Sequence, residues 1–438
     1  MEPEELINIL SEYNFWNKDI DTGISREKYV NKILNLLNDI NIVTISGIRR
    51  SGKSFIAKQA IKSWINDHNK YNTLIINLDD ERLINEYKTL LDIYDSFSKL
   101  IKKDGDVLIL IDEAQEIDGW EKFVRGLSER GVKFLITGSS SKLFSSEFST
   151  LLSGRSINLN VMPLSFEEFL LFNNIENNEK IIFNLDKINS LLEQYIKYGG
   201  MPFLVLHSDI RNDIIKGYFD TIILRDIISH YNIKNGKGLQ YLITFYLTNV
   251  SSRASFNSIY KTMHIPLKTV QRYSYYIETS NLLFFINKFS FSLKEQENNP
   301  KKVYSSDNAF TTYIGFNFME NKGKMIENVI FQELYRIKDV YNFEIYYYVN
   351  LKHEIDFIIK KSNKIIPVQV IYTVNEKNIK REINAFIDFN KKYKINKCII
   401  INYNIEKIEK IGNLNIRYIK MYKFLLNPFE YLDILNEQ

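Results

Sequence analysis

One eight-residue run, Gly47-Ile48-Arg49-Arg50-Ser51-Gly52-Lys53-Ser54, sets the tightest limit on what this chain can become. It fits G-x-x-x-x-G-K-[ST], the pattern of a loop that wraps its backbone around phosphate. The apolar run Ile42-Val43-Thr44-Ile45 precedes it, and a helix-forming stretch from Phe55 to Ile65 follows. Strand, glycine loop and helix is the context such a loop needs. The glycines let amide groups face the phosphates, and the helix N-terminus adds its positive end. Gly47, Ile48, Arg49, Arg50, Ser51, Gly52, Lys53, Ser54 and Phe55 are therefore the expected nucleotide contacts. Lys53 should reach the β- and γ-phosphates, and the Ser54 hydroxyl should ligate Mg²⁺. A chance glycine turn is the alternative, and 17 glycines in 438 residues leave little room for it.

A chain of this length holds about two to four domains. Its 45% hydrophobic and 14% aromatic content is enough to fill their cores. No apolar run reaches the ~18 residues of a membrane span. The start, Met1-Glu2-Pro3-Glu4-Glu5, is acidic and unlike a signal peptide. Both point to the cytoplasm, with no membrane partner. Cys398 is the only cysteine, which excludes a disulfide framework or a cysteine zinc site. The net charge of +4 permits nucleic-acid contact without requiring it.

Four further apolar runs, Thr73–Leu78, Val107–Ile111, Lys133–Thr137 and Ile157–Val161, are spaced to allow helices between them. This alternation predicts an α/β fold with a parallel sheet. Asp112-Glu113 ends the third run. An acid at a buried strand end beside the loop can hold Mg²⁺, the role expected of Asp112. Glu113 can then activate the attacking water as a general base. No guanine-specifying N-K-x-D follows, so ATP is the expected nucleotide. Thr137 and Ser139, at the end of the next strand, are expected either to sense the γ-phosphate or to serve ordinary turn chemistry. Arg155 is read as a stabiliser of the transferred phosphate, within its own subunit or a neighbour's, or else as a surface ion pair.

With these motifs in view, the order of Gly47–Ser54, Leu110–Trp120, Thr137–Ser141, Leu152–Arg155, Pro163–Phe169 and Tyr198–Pro202 resembles a known family. It is similar to the prokaryotic, archaeal-type AAA-like P-loop ATPases that carry a C-terminal winged-helix and restriction-endonuclease-like domain. The resemblance spans nearly the whole chain. It implies a core of the additional-strand class over 1–163, a helical lid over 164–234, a winged helix over 235–298 and a nuclease-like tail over 299–438. ATP and Mg²⁺ are the implied cofactors.

The helical periodicity from Ser165 to about Ile233 suits a lid, interrupted at Gly199-Gly200-Met201-Pro202 by what reads as a helix terminator and turn. Helices at Leu239–Val250, Ser255–Thr262 and Leu267–Ser280 precede Leu282–Ile286 and Asn287–Ser292, which read as a hairpin wing. The third helix would present Lys268, Thr269, Gln271, Arg272 and Tyr275 outward, types that suit phosphate and base-edge contacts. Protein docking is the alternative use of such a module.

In the tail, Glu327 and Asp356 match two acids of the Glu…Asp…(Glu/Asp)-x-Lys nuclease signature. Gln369 and Ile371 stand where the last acid and the lysine belong. Nuclease chemistry needs a cation near the attacking water, and isoleucine cannot supply it. The tail is therefore expected to be inactive and to serve in docking. The expected function is Mg²⁺-dependent ATP hydrolysis coupled to domain movement on DNA or a DNA-associated partner. A regulatory switch or scaffold without nucleic acid is the second reading, and an ATP-regulated nuclease the third. A protein partner at the tail and a homo-oligomer both remain open.

Overall fold

The computed structural model describes residues 2–138, 154–175, 185–316 and 322–432. They fall into two compact units, Met1–Val161 and Met162–Gln438. No helix among the described residues is long and apolar enough to cross a membrane.

The first unit is built on five parallel strands: β1 (Ile42–Ser46), β2 (Thr73–Asn77), β3 (Leu108–Asp112), β4 (Lys133–Thr137) and β5 (Ser156–Asn160). Their order is β2-β3-β4-β1-β5, so β4 separates the phosphate-loop strand from the strand that ends in Asp112. The α/β expectation and the additional-strand architecture are thus both present. Side chains alternate between the sheet faces with the period of two that a strand imposes. Leu108 and Leu110 join Ile56, Ala60 and Ile61 on one side. Ile109 and Ile111 join Phe97 and Phe123 on the other. The edge of β2 is closed by the chain's N-terminal segment. Asn14 accepts from the Ile75 amide at 2.7 Å and donates to its carbonyl at 2.9 Å, while the Trp16 indole donates to Thr73 O. Unpaired edge groups that would invite another strand are thereby satisfied.

The second unit opens with the expected helices, among them Phe166–Phe172, Leu185–Tyr198 and Arg211–Thr221, the last running into a π-helical stretch, Ile222–Ser229. Helices Gly236–Thr248, Phe256–Met263 and Leu267–Thr279 follow and pack beside a three-stranded antiparallel sheet. That sheet contains β6 (Ser252–Ala254), β7 (Leu283–Ile286) and β8 (Lys301–Ser305), in the order β6-β8-β7. The tail sheet is mixed, in the order β13-β14-β12-β11-β10-β9. Its strands are β9 (Glu344–Val349), β10 (Glu354–Lys361), β11 (Lys364–Ile371), β12 (Lys397–Asn402), β13 (Lys407–Ile411) and β14 (Leu414–Lys420). Residues of the Lys322–Tyr341 helix share one apolar cluster with the sheet, and residues of the Glu376–Tyr393 helix share another.

The wing differs from expectation. Asn287–Phe289 does not fold back on β7. It runs beside β9, with Phe289 N donating to Tyr347 O at 2.6 Å and Tyr347 N to Asn287 O at 3.1 Å. The reason lies in Phe289, whose ring is 2% exposed and packs among Tyr346, Phe389 and Tyr393. A phenylalanine in this run finds a deep core in the tail. The partner of β7 is β8, beyond the residue-298 boundary expected for the winged helix.

Gly199-Gly200 is a packing junction. Gly199 has φ +74°, and a Cβ on it would fall 1.7 Å from an Asp307 oxygen. Asp307 accepts from the amides of Gly200 (2.7 Å) and Ala309 (2.8 Å), capping the Asn308–Ile314 helix. Burial pushes its carboxyl up to about 7, against the opposing pull of the two amides and Arg336. Folding thus favours the protonated form. The associated stability is full below the unfolded value near 3.8 and is lost as pH rises through about 7. Asp307→Asn should flatten the stability loss between pH 5 and pH 8 by on the order of 2 kcal/mol. Thermal melts across that range check it, and an unchanged slope in the variant would remove Asp307 as the source.

Candidate nucleotide site

The loop after β1 has the backbone its sequence calls for. Gly47 has φ +141°, and a Cβ there would lie 2.2 Å from Val161 O, so no larger residue fits. Gly52 takes φ +97° and starts the Lys53–Trp64 helix. Arg50 also adopts a left-handed backbone, φ +68°, at the exposed crest. The Lys53 ammonium lies 3.1 Å from both Gly47 O and Ile48 O, and the residue is only 7% exposed. The Ser51 hydroxyl is buried without a hydrogen-bond partner among the described residues. Phe55 is 54% exposed and lies beside Gly23.

A second layer supports the loop and had no motif to announce it. Arg26 is buried, donates from Nη1 to Ser51 O at 2.8 Å and stacks over Tyr29. Its amide donates to Gln59 Oε1, and Gln59 Nε2 donates to Thr22 O and Ile24 O. The segment before the first strand is thus fastened to the loop and to its helix. A lone arginine just before the Glu27–Asp39 helix carries no signal in the sequence.

The acids lie where the loop can use them. Ser54 Oγ donates to Asp112 Oδ1 at 2.8 Å, so the two expected Mg²⁺ ligands meet directly. Burial raises the Asp112 carboxyl above its usual range. The adjacent Glu113 charge adds to that, and the Thr137 and Ser54 hydroxyls oppose it. A hydroxyl and a carboxylate are hard oxygen donors of the kind Mg²⁺ takes, and a carboxylate this buried gains from a cation beside it. The donor set therefore fits the ion. Glu113 has φ +57°, which turns its side chain off the strand line. Its carboxylate accepts from Gln115 Nε2, and its amide donates to Thr137 Oγ1 at 3.2 Å.

Thr137 is fully buried, and its hydroxyl donates to Asp112 Oδ1 while accepting from the Glu113 amide. These bonds tie the two acids together at the end of β4. Arg155 differs from expectation. Register pairs Ile42 with Ser156 and Ser46 with Asn160, which puts Arg155 at the strand end opposite the loop. Five residues of strand span roughly 16 Å. Arg155 instead pairs with Glu129 at 2.5 Å, both half exposed, and this removes it from the phosphates of its own chain. Ser139 lies outside the described residues.

The second candidate surface is the Leu267–Thr279 helix. Lys268, Gln271, Arg272 and Tyr275 are exposed on it, and Thr269 is half-buried. Arg272 and Thr269 also line a cavity of about 450 Å³ with Lys234, His264 and the stacked pair Tyr231 and Tyr276. Among the described residues, no acidic side chain lines it.

A family profile described as an AAA domain matches residues 39–170. An uncharacterized protein of Methanocaldococcus jannaschii is 34% identical over 398 residues, covering 88% of each chain. The chain belongs to the archaeal-type AAA P-loop ATPase family. An uncharacterized protein of Haemophilus influenzae is 29% identical over 411 residues, covering 90% of this chain and 97% of that one. Two domains of unknown function match residues 189–319 and 322–424 of this family member. Among solved structures, a Walker-type ATPase of Pyrococcus abyssi aligns with 69% of this chain and 97% of its own, at 15% identity and TM-score 0.45. The Orc1 protein of Aeropyrum pernix, solved with DNA, aligns with 67% of this chain and 92% of its own, at 12% identity and TM-score 0.29.

Proposed function

We propose that the chain is a Mg²⁺-dependent ATPase whose nucleotide state governs the second unit, and that it works on duplex DNA. The observation that carries the ATPase reading is the chain of contacts from Ser54 to Asp112 to Thr137 to the Glu113 amide, at the mouth of a loop that holds Lys53. Amides of Gly47–Ser54 and the Lys53 ammonium stabilise the charge that develops on the transferred phosphoryl group. Ser54 and Asp112 would hold Mg²⁺, which supplies further positive charge there. Glu113 takes the proton of the attacking water. Phe55, exposed beside Gly23, offers an aromatic face to the base.

The DNA reading rests on the exposed face of the Leu267–Thr279 helix and the acid-free cavity next to it. Arg272 and Lys234 can neutralise phosphates. An ATPase assay without nucleic acid and with single-stranded DNA, duplex DNA and RNA, at two salt concentrations, tests it. Duplex DNA should stimulate turnover most, and less at the higher salt. Arg272→Glu should weaken duplex binding and reduce its log–log salt slope by about 1. Turnover indifferent to every nucleic acid, with Arg272→Glu binding unchanged, would favour the switch or scaffold reading instead.

A further inference from the structure

The tail's acids meet a cation that the nuclease comparison did not anticipate. Glu354 and Asp356 are two residues apart on β10, so they share one face of the strand. Between Ile355 and Ile358 the register with β9 shifts, a bulge that re-aims side chains locally. Glu327 comes from the Lys322–Tyr341 helix. Into this group β8 sends Lys302, which is 1% exposed. Its ammonium lies 2.8 Å from Glu327 Oε1, 2.8 Å from Glu354 Oε1 and 3.0 Å from Asp356 Oδ1. An ammonium has three hydrogens, and each has a carboxylate.

The acids have further partners. The Tyr304 hydroxyl donates to Glu327 Oε1 at 2.6 Å, and the Val370 amide donates to Asp356 Oδ2 at 3.0 Å. The second Glu354 oxygen faces Arg253 at 3.4 Å. Gln369, in place of an acid, accepts from the Asp356 amide at 3.2 Å and brings no further negative charge. Burial pushes Glu327 up to about 8, and the Asp356 charge pushes the same way. The carboxylates hold Lys302 charged despite its burial. A divalent ion bridging these oxygens would have to enter the volume that Nζ fills and meet its charge.

We propose that Lys302 is the built-in cation of this carboxylate centre: it holds the place a divalent ion would need, so the centre binds no Mg²⁺ or Mn²⁺ and cuts no phosphodiester. Its work is to fasten β8, and with it the three-stranded sheet, to β10 and the Lys322–Tyr341 helix. A buried charge group of this kind gives specificity of docking more than net stability, because a wrongly seated β8 leaves carboxylates buried without a counter-charge. The missing lysine of the nuclease signature is thus replaced by a lysine from another sheet, used as a lock.

The test uses the full chain carrying Asp112→Asn, so that the phosphate-loop site contributes no metal signal. Millimolar Mn²⁺ should leave its melting temperature unchanged, and neither Mg²⁺ nor Mn²⁺ should support DNA cleavage. Lys302→Met, which keeps the stem and removes the charge, should melt lower. Mn²⁺ should then raise its melting temperature by at least ~3 °C, a gain that Asp356→Asn abolishes. The double variant Lys302→Met/Glu327→Gln leaves one carboxylate fewer unpaired and carries the same comparison if the single variant does not fold. A Mn²⁺ response or DNA cleavage in the Lys302 chain that Asp356→Asn removes would overturn the proposal. So would a Lys302→Met chain that melts as before and ignores Mn²⁺.

Discussion

Glu113→Gln is expected to bind ATP normally and to hydrolyse it at least ~10²-fold more slowly, the usual loss when a general base is removed. The substitution keeps the size and the hydrogen-bonding reach of the side chain and removes only its capacity to take a proton. The surroundings make this a clean comparison. The left-handed backbone at Glu113 and its amide bond to Thr137 are set by the main chain and survive the change. The side-chain bond from Gln115 is to Glu113 Oε2, and an amide oxygen accepts it equally well. Binding of a fluorescent ATP analogue and steady-state turnover, measured together, separate the two steps. Turnover near that of the parent chain would take the base role away from Glu113.

Lys53→Ala should remove nucleotide binding itself. Its ammonium lies within 3.1 Å of two loop carbonyls, where it also holds the loop's shape, so truncation removes a phosphate contact and loosens the cradle together. A charged hydrogen bond to phosphate is worth about 1.5–3 kcal/mol, hence a loss of at least ~10-fold in affinity from the contact alone. Isothermal titration with ATP and Mg²⁺ measures it. The folded state is checked by the melt, since Lys53 is buried. An affinity equal to the parent's would sink the assignment of the loop.

The core was readable because its chemistry is local. The eight residues of the loop and the pair Asp112-Glu113 carry their roles in adjacent positions, and hydrophobic runs mark the strands between them. What lay outside that reach depended on register and on distant partners. Arg155 was placed near the phosphates because it leads into a core strand. Only the pairing of Ile42 with Ser156 shows that it stands at the strand's far end. Thr137 sits at the expected strand end, and only the fold shows its hydroxyl bonded to Asp112. Asn287–Phe289 follows a strand as a wing would, and nothing in its composition says which sheet it joins. Arg26 and Lys302 act through groups 25 to 54 positions away, on elements that the fold alone brings together.

The crossing of Asn287–Phe289 onto β9, with the return through β8, bears on how such a chain is inherited. The three-stranded sheet and the tail are threaded through each other, so no single cut separates two pieces that each keep a finished edge. A recombination joint near residue 298 would part Phe289 from its core and part β6 and β7 from β8. Exchange of the tail between relatives should therefore carry everything from β6 onward as one cassette, with joints tolerated before that strand and selected against after it.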